Sequence, residues 1–227
     1  MGSRGLVIFD AFNTLVTSRR DSKGTFLEGL ERAGIRGAGP VLADLQAASE
    51  GLDHSVWSGS RQAYVGWTTA VLRELSTVGL RVNSNLARSV VPALEQLHQA
   101  PMVALRSARS CLKQLKAAGF TIAVCSNWGW DLATDIAGTG LLEYVDYPVS
   151  SAQVGWRKPD PRIYRAVLAL TGYAARDAVF VGDSLRTDVL GPQGAGIRSF
   201  LLAPATGADV RGEAISSLYA LPRLLSG

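Results

Sequence analysis

The chain has 227 residues, of which 47% are hydrophobic and 19% are charged, and these proportions are those of an ordinary soluble globular protein. Its formal net charge of +4 comes from scattered lysines and arginines, which argues against a nucleic-acid binder because such proteins concentrate basic residues on one face or in one run. No apolar segment approaches the roughly 18 residues that cross a bilayer, and the short first apolar run, which ends in an acid, is not expected to be a signal peptide.

Cysteines and histidines are few. Neither Cys111 nor Cys125 has the spacing of a metal knuckle or a disulfide framework, so we expect buried core thiols and a cytosolic protein. With two histidines, His54 and His98, a histidine metal site or a Ser-His-Asp triad is not expected.

Apolar runs rich in β-branched residues, each bounded by loop residues, predict buried parallel strands. They are LVIF before Asp10, FTIAVC before Ser126, AVFV before Gly182, IRSFLL at 197–202 and, more weakly, YVDYPVSS at 144–151. Helical patterns lie at about 107–118, 130–138, 160–171 and 185–195. This alternation predicts an α/β fold, a doubly wound parallel sheet, for residues 1–16 and 104–227.

The segment 17–103 departs from that alternation. It has no convincing strand run, and its apolar residues recur at helical spacing, which predicts an all-α insert of about four helices that ends near Pro101. An insert after the first strand is placed above the carboxyl ends of the parallel strands, where open α/β sheets bind ligands. We therefore expect a helical cap that can act as a lid.

Polar side chains follow the predicted strands at the points where they end. These residues are Asp10, Ser126 with Asn127, Asp183 with Asp188, and Lys158 in the loop before the helix at 160–171. The carboxyl ends of parallel strands meet at one edge, and three carboxylates brought together there repel one another unless a cation lies between them. An oxygen-rich set without histidine favours Mg²⁺.

This combination suits phosphoryl transfer to an aspartate. A carboxylate nucleophile requires shielding of the phosphate's charge, which Mg²⁺ and Lys158 can provide. Hydroxyl, amide and main-chain N–H groups can then hold the equatorial oxygens.

The same residues resemble four motifs of the haloacid dehalogenase superfamily, in the branch whose α-helical cap follows the first motif. The matching motifs are FDAFNTL around Asp10, CSN at 125–127, Lys158 within RKPDPRIY, and GDSLRTD at 182–188. Four motifs in order at the ends of the predicted strands are a specific signal.

The resemblance implies a Rossmann-like core and a Mg²⁺-dependent phosphohydrolase acting on a small organic phosphate. Asp10 would be the nucleophile and a metal ligand, with the backbone carbonyl of Phe12 and with Asp183 as further ligands. Asp188 would support the metal's water or Lys158. Ser126, Asn127 and Thr14 would contact the transferring group. The partner is then a small molecule rather than a nucleic acid or a membrane, and the substrate's identity and the oligomeric state stay open.

Phe12 departs from the phosphatase pattern, which has a second aspartate at this position to protonate the leaving alcohol. General acid–base help contributes about 10²–10⁴-fold, and neither Phe12 nor Asn13 can supply it. Such a phosphatase would be slow on alkyl phosphates, select good leaving groups, or use an acid of the insert such as Asp21 or Glu28.

Two alternatives remain open. The family's dehalogenases carry an aromatic residue where Phe12 stands and glycine where Asn13 stands, and place an arginine after the first motif to receive the halide, as Arg19 or Arg20 could. They work without Mg²⁺ and lack the acidic fourth motif that this chain keeps, so we favour the phosphatase. The second alternative is a non-catalytic protein that binds a phosphate or another ligand.

Three tryptophans lie near the predicted site. Trp128 and Trp130 follow the second motif, and Trp156 precedes the third. They predict either packing beneath the cap or an aromatic wall for a flat substrate.

Overall fold

The computed structural model describes residues 4–18, 102–203 and 213–226. The chain divides into two compact units, Met1–Thr17 with Met102–Gly227, and Ser18–Pro101. The second unit lies outside the described residues except at Ser18, so the helical cap predicted for 17–103 stays a prediction. The same holds for the roles suggested for Arg19, Arg20, Asp21 and Glu28.

A parallel sheet forms the centre of the first unit. The strands in the described ranges are β1 (Leu6–Phe9), β2 (Val16–Ser18), β3 (Met102–Ala104), β4 (Thr121–Ser126), β5 (Tyr147–Ser150), β6 (Ala178–Gly182), β7 (Arg198–Leu202) and β8 (Glu213–Ile215). Six of them pair in the order β5-β4-β1-β6-β7-β8, and every pairing is parallel. The predicted parallel α/β core is therefore confirmed.

Strand β1 shows why the sheet is covered on both faces. All four of its residues are buried, and successive side chains point to opposite faces of a strand. Val7 and Phe9 belong to one apolar cluster, and Leu6 and Ile8 belong to a second. A strand that is buried on both faces has apolar residues at every position, and the sequence LVIF of β1 shows this pattern.

Helices pack on the two faces. They are α1 (Arg106–Ala117), α2 (Leu132–Ala137), α3 (Ser151–Val154), α4 (Pro161–Thr171), a π-helix (Leu185–Leu190), α5 (Gly191–Gly194) and α6 (Leu221–Ser226), with 3₁₀ turns at Leu142–Tyr144, Ala175–Asp177 and Leu218–Ala220. Buried residues of α1 and α2 join the cluster of Val7 and Phe9, and those of α4 join the other. The single helix predicted at 185–195 is instead a π-helix followed by the short α5.

Strands β2 and β3 form a separate two-stranded sheet. Most of this ribbon lies within 17–103, where no strand was predicted, because three-residue strands are too short to show a period of two. None of the helices in the described ranges has the length and apolar character required to span a membrane.

Candidate active site

Asp10 stands at the carboxyl end of the central strand. Its N–H donates to Val181 O at 2.9 Å, which extends the β1–β6 ladder by one residue and fixes the Asp10 backbone. From β1 the sheet continues to β4 and β5 on one side and to β6, β7 and β8 on the other. Such a switch point between strands is where open α/β sheets bind ligands.

Three carboxylates converge at this edge. Asp10, Asp183 and Asp188 each offer one oxygen, and these three oxygens all lie within 4.8 Å of one another. Asp10 and Asp188 are buried, whereas Asp183 is exposed. The structure therefore brings together the acids of the first and fourth motifs.

Lys158 connects two of these acids. Its Nζ donates to Asp10 Oδ1 at 2.7 Å and to Asp188 Oδ1 at 2.6 Å, and it lies 5.2 Å from the centroid of the Phe180 ring. Burial disfavours the ammonium charge, but Asp10 and Asp188 outweigh burial and raise the pKa of Lys158. When all four groups are charged, one lysine against three carboxylates leaves the cluster with an excess of two negative charges.

Two of the three acids have raised pKa values. Burial raises the pKa of Asp10, although Lys158 opposes the shift. Asp183 is exposed, but the protein atoms around its carboxyl group still remove part of its hydration, and this partial desolvation, followed by repulsion from Asp10 and Asp188, raises its pKa to about 6. An all-oxygen donor set that carries surplus negative charge fits Mg²⁺, which prefers carboxylates, carbonyls and water.

The two oxygens of Asp10 have different environments. Oδ1 accepts hydrogen bonds from Ser126 Oγ at 2.9 Å and from Lys158 Nζ. Oδ2 accepts none from the residues that the structure describes. The carboxylate is thus held through one oxygen while the other remains available to a metal or an electrophile.

Asp188 is bound at both oxygens. Oδ1 accepts from Lys158, and Oδ2 accepts from the Ser184 N–H at 3.0 Å. A Cβ built on Gly182 would collide with the Asp188 carboxylate, so glycine is required there for the close approach of this side chain. Sequence reasoning missed Ser184, although its position between the two acids of GDSLRTD could have indicated it.

Asn127 and Lys158 exchange two hydrogen bonds. Asn127 Nδ2 donates to Lys158 O at 2.9 Å, and the Lys158 N–H donates to Asn127 Oδ1 at 2.7 Å. The Asn127 amide therefore fixes the loop that carries Lys158, a role that sequence reasoning missed. Its predicted contact with the transferring group stays a prediction.

Comparisons with known proteins identify the family. Residues 5–196 match the family described as haloacid dehalogenase-like hydrolase. The chain belongs to this family. It is 32% identical over 180 residues to the human haloacid dehalogenase-like hydrolase domain-containing protein 3, an alignment that covers 77% of this chain and 68% of the relative. Phosphatases are also among the relatives of this haloacid dehalogenase-like hydrolase: the phosphoserine phosphatase of Thermus thermophilus is 34% identical over 93 residues, 40% of this chain and 37% of that protein.

Solved structures agree on the fold. The 2-haloacid dehalogenase of Pseudomonas syringae pv. tomato superposes with a TM-score of 0.70 at 22% identity, and the superposition covers 98% of both chains. Identity at this level shows the fold alone. The choice between phosphate and halide chemistry therefore rests on the residues of the site.

The first motif of this haloacid dehalogenase-like hydrolase turns sharply after Asp10. Asn13 has φ of +58°, a left-handed conformation that glycine and asparagine adopt more readily than other residues. Asparagine is therefore well suited to this position of the turn. Thr14 is fully buried, and its Oγ1 has no hydrogen-bond partner among the described residues.

Trp128 is a core residue rather than an exposed wall. It is 8% exposed and belongs to the cluster of Val7 and Phe9. Trp156 is half-buried, and the guanidinium of Arg162 stacks on its ring at 3.5 Å from the centroid. Both indoles thus pack within the core unit, and their predicted packing beneath the cap stays a prediction because the insert lies outside the described residues.

Proposed function

We propose that this chain is a Mg²⁺-dependent phosphohydrolase that acts on a small organic phosphate through an aspartyl-phosphate at Asp10. The observation that carries the proposal is the cluster of Asp10, Asp183 and Asp188 around Lys158, with an excess of negative charge that a divalent cation neutralises. The phosphatases among its relatives support the same chemistry.

Asp10, Asp183 and the main-chain carbonyl of Phe12 would hold the metal. Asp188 would keep Lys158 in place and orient a water of the metal, since both of its oxygens already accept hydrogen bonds. When bound, Mg²⁺ supplies charge neutralisation to the phosphate oxygens.

The reaction has two displacements at phosphorus. The free oxygen of Asp10 attacks the phosphorus, the ester P–O bond breaks, and the leaving oxygen takes the electron pair and then a proton from solvent. Water then attacks the phosphorus of the aspartyl-phosphate, and the bond between phosphorus and the Asp10 oxygen breaks. This step restores the Asp10 carboxylate and releases inorganic phosphate, which keeps one proton of the water while the other passes to solvent. Lys158 would stabilise the charge on the transferring group, and the Ser126 hydroxyl, which donates to Asp10 Oδ1 at 2.9 Å, would contact that group.

A second function, hydrolytic 2-haloacid dehalogenation, is favoured by Phe12. A halide leaves without a proton, so an aromatic residue at this position has no catalytic cost. The anionic cluster argues against it, because a carboxylate substrate would be repelled unless a cation were bound. A third reading, a non-catalytic ligand-binding protein, has Phe12 as its only support.

A substrate screen separates the three. Purified wild type and Asp10→Asn are assayed on p-nitrophenyl phosphate, glycerol phosphate and 2-chloropropionate, each with Mg²⁺ and with a chelator. We expect phosphate release that requires Mg²⁺ and is lost in Asp10→Asn, whose amide has a similar shape but is a poor nucleophile. Chloride release without Mg²⁺ would establish the dehalogenase, and no turnover of any substrate would favour the binding protein.

Trapping would locate the nucleophile. Beryllium fluoride with Mg²⁺ should form an adduct on Asp10 in wild type and none in Asp10→Asn.

We also propose a cytosolic location, supported by Cys111 and Cys125, which are both buried and unpaired.

A further inference from the structure

The π-helix Leu185–Leu190 carries Asp188 into the cluster and has an unusual end. The Gly191 N–H donates to Arg186 O, five residues earlier. In the same pattern the next carbonyl, Thr187 O, requires an N–H from residue 192, which is proline and has none. The Thr187 carbonyl, which is partly buried, therefore has no donor at this position of the helix, and main-chain carbonyls shielded from water usually find a partner elsewhere in the fold.

Tyr164 of α4 supplies that donor. Its hydroxyl donates to Thr187 O at 2.6 Å, across 23 residues of sequence. The carbonyl that accepts this bond belongs to the residue directly before Asp188. The bond thus joins the helix after the third motif to the backbone of the fourth.

Packing leaves Tyr164 little freedom. The side chain is fully buried, and its ring meets Phe180 edge to face, with centroids 5.7 Å apart and planes at 81°. The same Phe180 ring also contacts Lys158, whose Nζ lies 5.2 Å from its centroid. A Cβ on Gly191 would collide with the Tyr164 hydroxyl, so the absent side chain of Gly191 leaves the space that the hydroxyl occupies.

We propose that Tyr164 is a positioning residue. By donating a hydrogen bond to the Thr187 carbonyl of the π-helix, it holds Asp188 in place, and through Asp188 it holds Lys158. This role rests on the proposed function, in which Asp188 and Lys158 serve the metal and the phosphate. The hydroxyl of Tyr164 bonds to a main-chain carbonyl and not to the carboxylates of the cluster. It acts through the backbone that bears Asp188.

Tyr164→Phe tests the hydroxyl alone, and Tyr173→Phe is a matched control. Tyr173 OH lies 2.7 Å from Thr121 Oγ1, at the first residue of β4 and thus at the end of the strand away from the site. Each variant loses one tyrosine hydroxyl bond. Both should lower the unfolding midpoint, so stability does not separate them.

Three measurements distinguish the Tyr164→Phe variant from the Tyr173→Phe control. In Tyr164→Phe, amide exchange over residues 185–191 should accelerate by at least about fivefold, and the Mg²⁺ dissociation constant should rise by about fivefold, the effect of one hydrogen bond. With p-nitrophenyl phosphate, kcat should fall while KM stays within about twofold. Tyr173→Phe should change none of the three. Gly191→Ala, which displaces the same hydroxyl, should reproduce the faster exchange.

Unchanged exchange over 185–191 in Tyr164→Phe overturns the proposal, whatever the activity. So does unchanged Mg²⁺ affinity, provided that wild type binds the metal. A wild type that binds Mg²⁺ but cleaves no phosphate would refute the proposed function, and the Tyr164 role would still be decided by exchange and metal affinity. If wild type binds no Mg²⁺, exchange alone decides.

Discussion

The ring of Phe12 lies against the indole of Trp128, with centroids 6.4 Å apart and planes inclined by 50°. Trp128 is itself fixed, because its indole N–H donates to Asp135 Oδ2 at 2.8 Å. Phe12 therefore packs on an anchored neighbour at the position where the family's phosphatases have their proton donor. Any substitution of Phe12 changes packing and acid–base chemistry together, and its test must separate the two.

Phe12→Asp and Phe12→Asn make this separation. Both remove the ring and should lower the free energy of unfolding by a similar amount, about 1–3 kcal/mol for a half-buried aromatic residue. Only Phe12→Asp adds a proton donor, so its kcat/KM for an alkyl phosphate should exceed that of Phe12→Asn by up to about 10²-fold. In wild type, p-nitrophenyl phosphate should be cleaved much faster than an alkyl phosphate. Equal wild-type rates on the two esters would show that another acid, in the insert for example, already acts.

We expect the Asp183→Asn and Asp188→Asn variants to differ in the property that each lowers most, the Mg²⁺ affinity or the stability of the fold. Asp183 is exposed, whereas Asp188 is buried and bound at both oxygens. We expect Asp183→Asn to weaken Mg²⁺ binding more, measured by calorimetry, and Asp188→Asn to lower the unfolding midpoint more, because it leaves Lys158 with one carboxylate. A larger loss of Mg²⁺ affinity in Asp188→Asn would instead make Asp188 a direct ligand.

The raised pKa of Asp183, about 6, predicts a pH dependence of the metal-free protein. A folded-state pKa above the ordinary 3.8 means that the protonated form favours folding. This contribution is complete below pH 3.8 and is lost as the pH rises through about 6. Unfolding midpoints in EDTA should therefore fall more in wild type than in Asp183→Asn between these values. Mg²⁺ affinity should rise over the same interval, because the metal displaces the proton. Parallel wild-type and variant curves would contradict the assignment.

Gly182→Ala should disturb the site through Asp188, because a Cβ at residue 182 collides with that carboxylate. We expect a lower unfolding midpoint and a weaker Mg²⁺ affinity. Gly194→Ala is the control, since a Cβ there meets no atom within 4 Å and the residue lies in α5. It should be neutral or stabilise by up to about 1 kcal/mol. A harmless Gly182→Ala would show that Asp188 can move without loss.

The strands that position the site were predictable because each is buried on both faces. LVIF, AVFV and TIAVC are continuous apolar runs, and a continuous run signals a parallel strand directly. β8 (Glu213–Ile215) was not predicted, because it has three residues, two of them exposed. The π-helix was predicted as an ordinary helix. The spacing of its apolar residues does not distinguish the two helix types, and so it does not show that Pro192 leaves the Thr187 carbonyl without a donor in the helix.

The charged residues of the site were predictable for a different reason. Asp10, Asp183 and Lys158 each stand at a strand end or in a motif loop, where topology alone brings them to one edge. The bonds that hold them were not predictable. Asn127 bonds to Lys158 across 31 residues of sequence, and Tyr164 bonds to Thr187 across 23. Such non-local pairs leave no pattern in the local sequence.

The ribbon of β2 and β3 has a consequence for how this protein can change. The segment between these strands leaves and re-enters the core through neighbouring strands, so its two ends are already joined by the fold. The entropy of closing a loop grows only slowly with its length, so a longer or shorter segment between two paired strands costs little stability. Segments of quite different size can therefore be exchanged at this point without altering the register of the six-stranded sheet. In evolution or by design, the segment between β2 and β3 can change in length while β1 and β6 keep the pairing that carries Asp10.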